Sequence, residues 1–110
     1  MEEKTFTVSE AHLHFAAYFH SLTWKLLEKP DRTRDEDERM VDYAHSSLAH
    51  WRTAGTAVHH QRGEWLLARV FAVLGEPGPA LQHAGWCAEI LQAHAAARWR
   101  ILTSPLPLRR

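Results

Sequence analysis

The chain has 110 residues, with 13 lysines and arginines against 13 aspartates and glutamates, and nine histidines on top of that zero net charge. Zero net charge excludes a general nucleic-acid binder, which needs a basic footprint, and a hydrophobic content of 45% is too high for disorder by composition. One cysteine excludes an internal disulfide framework and fits a reducing compartment. The start, Met1-Glu2-Glu3-Lys4, lacks the basic and apolar regions of a secretory leader. No apolar run approaches the roughly 20 residues of a membrane span. A small cytoplasmic domain with no membrane segment is therefore expected.

Glycine and proline fall at the punctuation points, and the stretches between them have helical period. The first helix is predicted from about Ser9 to Lys29, with Ser9 as N-cap. Phe15, Phe19, Leu22 and Leu26 form its apolar stripe, widened by Tyr18, Trp24 and Leu27. Pro30 stops it, because a proline disfavours the helical conformation of the residue before it. The second helix is predicted from Arg34 to Thr53. Thr33 and Glu36 make a capping box, and the acids Asp35 to Glu38 suit the positive end of the dipole. Met40, Ala44, Leu48 and Trp51 form its stripe, and Gly55 is its expected C′ residue.

The third helix is predicted from Ala57 to Leu74, capped by Thr56 and terminated by Gly75, with Leu67, Val70, Phe71 and Leu74 as core stripe. Gly63 inside it costs about 1 kcal/mol relative to alanine, which points to a close backbone approach or a weak first turn. The fourth helix starts within Glu76-Pro77-Gly78-Pro79, where a first-turn proline is tolerated. Ala80, Ala84, Cys87 and Leu91 give it a narrow stripe of small residues, and it continues to about Ile101. Residues 1–8 are expected to form a flexible N-terminus, 9–102 one helical domain, and 103–110 an extended or disordered tail. The short links force neighbouring helices antiparallel, so the expected fold is all-α, with two helical hairpins.

Gln61 to Gln92 resembles a tetratricopeptide repeat, a helix–turn–helix of 34 residues. Leu67, Ala68 and Phe71 match the Leu, small and aromatic positions of the family's first helix. Gly75 matches the turn glycine, and Ala80 the small residue that opens the second helix. The pattern is broken at Glu64, which holds the usual Trp position with Trp65 one place late. Pro77, Ala84, Cys87 and Gln92 depart from it as well. Ala44, Leu48 and Trp51 could align with Ala80, Ala84 and Cys87 as a weaker copy in the earlier hairpin. The segments WKLLEKPDRT, HWRTAG, RGEWLLARVFAVL and ALQHA further resemble a group of small uncharacterised bacterial proteins with such helices, in which another helical pair follows the fourth helix. The resemblance implies a right-handed helical layer rather than an activity.

Arg62, Trp65 and Arg69 fall on one face of the third helix through spacings of three, four and seven. In the family's registration this face lines the concave groove. Arginine can fork two hydrogen bonds onto a carboxylate, and Trp65 can stack on an apolar or cationic group, so an acidic peptide or partner protein is the expected ligand. The competing role for Trp65 is to cap the edge of the core between two solvated arginines.

His83 and Cys87, and His60 and Glu64, each stand four apart and are weak two-ligand metal candidates. Neither pair has an evident third ligand, so no metal and no cofactor is expected. Asp42 and His45 are three apart, but no nucleophile is placed beside them, so a surface charge pair is expected rather than catalysis. Protonation of all nine histidines would carry the net charge from zero to about +9 as pH falls past about 6.5. The expected role is a non-enzymatic interaction module. Trp86, Ile90 and Trp99 are the candidates for an apolar end face through which it would self-associate as a homodimer. The alternative is a four-helix bundle that binds a metal or small ligand through inward histidines and carboxylates, drawn from His20, His45, His50, Glu64 and His83.

Overall fold

The computed structural model describes residues 5–103. Four helices follow one another: α1 Val8–Leu27, α2 Arg34–Ala54, α3 Ala57–Val73 and α4 Pro77–Thr103, with no strand among the described residues. α1 packs on α2 and α3 on α4 as two antiparallel hairpins, α2 and α3 join them, and α1 touches α3 lightly. α1 and α4 do not approach each other, so the helices form an open layer rather than a closed bundle. The molecule measures 57 × 50 × 18 Å, with a radius of gyration of 17.5 Å. A compact domain of this length would have a radius near 13 Å. No helix is long and apolar enough to cross a membrane among the described residues.

The helix boundaries have local chemical causes. Thr7, not Ser9, caps α1: its hydroxyl accepts the Glu10 N–H at 3.0 Å, and the Glu10 carboxylate accepts the Thr7 N–H at 2.8 Å. The reciprocal pair needs an acid three residues on, and Thr7 has Glu10 there. Thr33 and Glu36 close the same box on α2. Glu36 also meets Lys29 across the α1–α2 link, and that contact is the first reason its carboxyl stays below the usual range, ahead of Thr33. At α3 an imidazole takes the acid's part, since His59 Nδ1 accepts the Thr56 N–H at 3.0 Å.

Gly75 ends α3 with φ +75°. The Glu76 N–H reaches the Phe71 carbonyl at 2.9 Å and the Gly75 N–H the Ala72 carbonyl at 3.1 Å, the paired bonds of a Schellman turn. Gly55 is different. It is the C-cap of α2 in extended backbone, φ −92°, not a left-handed C′ residue. Its lack of a side chain matters for space, since a Cβ would meet the Trp51 carbonyl at 2.6 Å and the His59 Cβ at 2.8 Å. α4 runs to Thr103, the first residue of the expected tail; residues 1–4 and the remainder of the tail, 104–110, lie outside the described residues.

The core sits between α2 and α3. Met40, Ala44, Leu48, Leu67 and Val70 are buried there, with Leu26, Leu27, Val41, Phe71 and Leu74 packed around them. The stripe read for α2 is buried throughout. On α1 the buried line is rotated: Ala16 and Thr23 are fully buried, whereas Phe15 and Tyr18 are exposed. Small residues there let α1 lie close on α2, and the Ser47 hydroxyl donates to the Ala16 carbonyl at 2.7 Å across the contact. The displaced aromatic rings shelve along the hairpin's edge. His50 stacks on Phe19 at 6.1 Å, and its Nδ1 shares a proton with His12 Nδ1 at 2.8 Å.

Candidate binding face and its supporting clamp

Helical spacing sets Arg62, Trp65 and Arg69 on the exposed side of α3, where all three stay largely in solvent. The packing of α3 near α1 then adds a second tryptophan, Trp24, whose ring lies 5.9 Å from Trp65 at a tilt of 30°. The Trp24 indole N–H donates to His20 Nε2 at 3.1 Å, which fixes the indole's orientation. Arg62 is close enough to act on His20. Burial, and after it the Arg62 charge, hold the His20 imidazole below its usual pKa. The face is thus Trp24 and Trp65 side by side, with Arg62 at one edge and Arg69 one turn further on.

Four arginines of the first three helices and their links are paired, and Arg98 and Arg100 of α4 are not, among the described residues. Arg32 pairs with Asp37, Arg34 with Glu38, Arg39 with Asp35 and Arg52 with Glu64. Arg62 and Arg69 have no acidic partner among the described residues. An exposed arginine with its fork unpaired is an available carboxylate site.

Arg69 and Trp65 also stand at the lip of a groove between α3 and α4, about 630 Å³ in volume. Its floor is made of small residues, Ala68, Ala72, Ala80 and Ala84. This is the outer face of the second hairpin, opposite α2. The stripe read for α4 divides here. Cys87 is buried and Ala80 half-buried, while Ala84 and Leu91 are open to solvent. Burial pushes the Cys87 thiol's pKa up, which leaves it a protonated small hydrophobe.

Beneath the face lies a polar clamp. Glu64 is 2% exposed, yet it is a carboxylate in the position where the resembling family carries tryptophan. It accepts from Arg52 Nη2 at 3.0 Å and from His83 Nδ1 at 2.9 Å, so one side chain of α3 ties α2 to α4. Phe71 stacks flat on the His83 ring, 5.6 Å away at 10°, and Trp86 meets it edge-on at 5.2 Å. The i,i+4 pairs of the sequence do not form. His60 instead approaches the Trp51 carbonyl at 3.2 Å, and Cys87 meets Gln61. A sequence signal for the clamp exists: Glu64 is three residues before Leu67 and so falls in the register of the buried stripe.

The five inward candidates separate as well. His20 belongs to Trp24, and His50 to His12. His45, Glu64 and His83 are neighbours, but they form a chain. Glu64 occupies His83 Nδ1, and His45 lies edge-on to His83 at 6.0 Å. Among the described residues no group of three His, Cys, Asp or Glu side chains is arranged to hold a metal ion. Asp42 acts on His45 only through space, and loss of water around the ring outweighs it, so the His45 pKa is lowered, with the nearby His83 as second cause. Trp86 and Ile90 line a crevice with Arg52 and Glu89, on the other side of α4 from the groove. Trp99 stands exposed further along the helix.

His20 and His45 both have folded pKa values below the ordinary 6.5. The unfolded chain therefore takes up protons first as pH falls, so stability is full above about 6.5 and declines below it. The melting temperature is expected to drop between pH 7.5 and 5.5. His20→Phe, which retains a ring against Trp51 and removes one titration, is expected to drop less. Equal slopes in the two proteins would remove His20 from the account.

No protein-family model, no curated protein and no solved structure matches the chain.

Proposed function

We propose that the chain is a non-enzymatic interaction module of the tetratricopeptide-like class. It binds an acidic segment of a partner protein on the Trp24–Trp65 face and associates with itself through an apolar end face. The carrying observation is the pair of unpartnered arginines, Arg62 and Arg69, on either side of exposed Trp65, in a chain that pairs Arg32, Arg34, Arg39 and Arg52. The family resemblance supports it through Leu67 in the core, Gly75 in the turn and Ala80 half-buried beside the α3–α4 groove. An open layer also leaves a face on which a peptide can lie, where a closed bundle would enclose a pocket. The tryptophans supply apolar contact area at small entropic cost and the arginines supply direction.

A labelled synthetic helix with leucines on one face and glutamates on the other is the probe. It is expected to bind, and to bind more weakly as salt is raised. Each carboxylate fork is worth enough that Arg62→Ala with Arg69→Ala should raise Kd at least about tenfold, the equivalent of 1.4 kcal/mol. The melting temperature of that variant should be unchanged, because both side chains are solvated. A Kd untouched by the double substitution overturns the reading.

A further inference from the structure

α4 is longer than the helix it packs on. Its 27 residues face the 17 of α3. The antiparallel pairing places His83 against Glu64 and Cys87 against Gln61, so α4 draws level with the start of α3 near Leu91. From Leu91 to Thr103 every residue is exposed, including Trp99 at 67%, Ile101 at 60% and Leu102 at 74%. This arm is about 20 Å of helix at 1.5 Å per residue. A helix of that length on its own is marginal in water. It is therefore an element in want of a partner, and the groove between α3 and α4 is an open surface on the same hairpin.

The two features share one helix face. Ala80, Ala84, Cys87 and Leu91, spaced four, three and four, run on through Ala95, Trp99 and Leu102, spaced four, four and three. Ala80, Ala84 and Cys87 line the groove, and the stripe from Leu91 onward is the arm. We infer that two copies of the chain pair about a two-fold axis, each laying its α4 arm into the other's α3–α4 groove. The inference rests on the self-association half of the proposed function and names the surfaces that carry it.

Three observations select a second copy over a foreign helix. A foreign helix would cover the groove and leave the arm bare, whereas a two-fold covers both at once and closes without open ends. The sizes match: the arm offers Trp99 and Leu102, and the groove floor offers Ala68, Ala72, Ala80 and Ala84. The charges match at the tip. An antiparallel arm carries Arg98, at the edge of the stripe, to the α3–α4 turn, where Glu76 lines the groove, and neither has an ion-pair partner among the described residues.

The test is the mass of the full chain in solution, by light scattering and sedimentation up to about 100 µM, where oligomers of ordinary affinity are populated. The expected mass is twice 12.7 kDa. Trp99→Asp on the arm and Ala84→Arg in the groove change exposed positions, so each should keep cooperative unfolding and run as a monomer. Gln82→Arg, which adds the same charge on the far side of α4, should remain a dimer. A wild-type chain that stays monomeric overturns the inference together with self-association, and leaves the groove to a helix of another protein. A dimer indifferent to both Trp99→Asp and Ala84→Arg overturns the arm-in-groove pairing alone. Binding of the acidic helix is read separately, through Arg62→Ala with Arg69→Ala.

Discussion

Glu64→Ala is expected to lower stability by about 3 kcal/mol, toward the lower end of what breaking a buried charge pair costs. The physical reason is the asymmetry of a three-member clamp. Glu64 is 2% exposed, His83 11% and Arg52 57%. Loss of the carboxylate leaves Arg52 free to turn to water at little cost. His83 stays wedged between Phe71 and Trp86 with its Nδ1 unanswered, and a cavity opens in the middle of the layer. In a domain of this size the loss amounts to a fall in melting temperature of more than about 10 °C. Arg52→Ala should cost under about 1 kcal/mol, as for a solvated partner, and Glu64→Gln should fall between, since it keeps shape and one acceptor. The informative variant is Glu64→Leu with His83→Phe. Replacing a buried polar pair by packed apolar groups is often neutral or better, so the double variant should recover most of the loss. Thermal and urea unfolding read all four. If Glu64→Ala melts within a few degrees of the parent, the clamp does not hold the layer together.

The clamp also marks where sequence reasoning reaches its limit. Thr33 with Glu36 and the turn at Gly75 are local: the residues that make them stand within a few positions of one another, so their spacing is enough. The α2 stripe is likewise legible, because α2 is packed on both sides and its buried face coincides with its apolar face. α1 has one neighbour and little to bury. Its contact with α2 is decided by the size of Ala16 and Thr23 rather than by hydropathy, and Phe15 and Tyr18, the conspicuous apolar residues, end outside. Glu64 and His83 lie 19 positions apart on different helices. Spacing within one helix offers His60 to the first and Cys87 to the second, and neither is the partner. The Arg62–Trp65–Arg69 face is legible as a face. That Trp24 completes it depends on how α3 leans against α1, and no period in the sequence encodes that tilt.

Gly63 sets how closely α3 approaches α2, and Gly63→Leu is expected to cost at least about 3 kcal/mol, beyond the usual range for mild overpacking. α2 and α3 cross at this glycine. A Cβ placed there would stand 2.7 Å from Leu48 Cδ1, 3.2 Å from its Cβ and 3.4 Å from its Cα. Rotation of the Leu48 side chain could relieve the first contact only, and Leu48 is 3% exposed within the core cluster, with no free space to rotate into. The remaining contacts are relieved by moving one helix away from the other. Two terms therefore oppose in Gly63→Ala. The substitution gains about 1 kcal/mol of helix propensity and costs about 1–3 kcal/mol in packing. The packing term should prevail, for a net loss near 1 kcal/mol. Gly63→Leu keeps the propensity gain and multiplies the displacement. Because Glu64 is the next residue, a shift of α3 large enough to admit leucine also pulls the carboxylate from Arg52, and the Trp24–Trp65 contact opens with it. Unfolding measurements give the first effect, and the environment of the tryptophan fluorescence gives the second. A Gly63→Ala protein more stable than the parent would mean that the crossing has room to spare, and that the glycine is there for the turn rather than for the approach of α2.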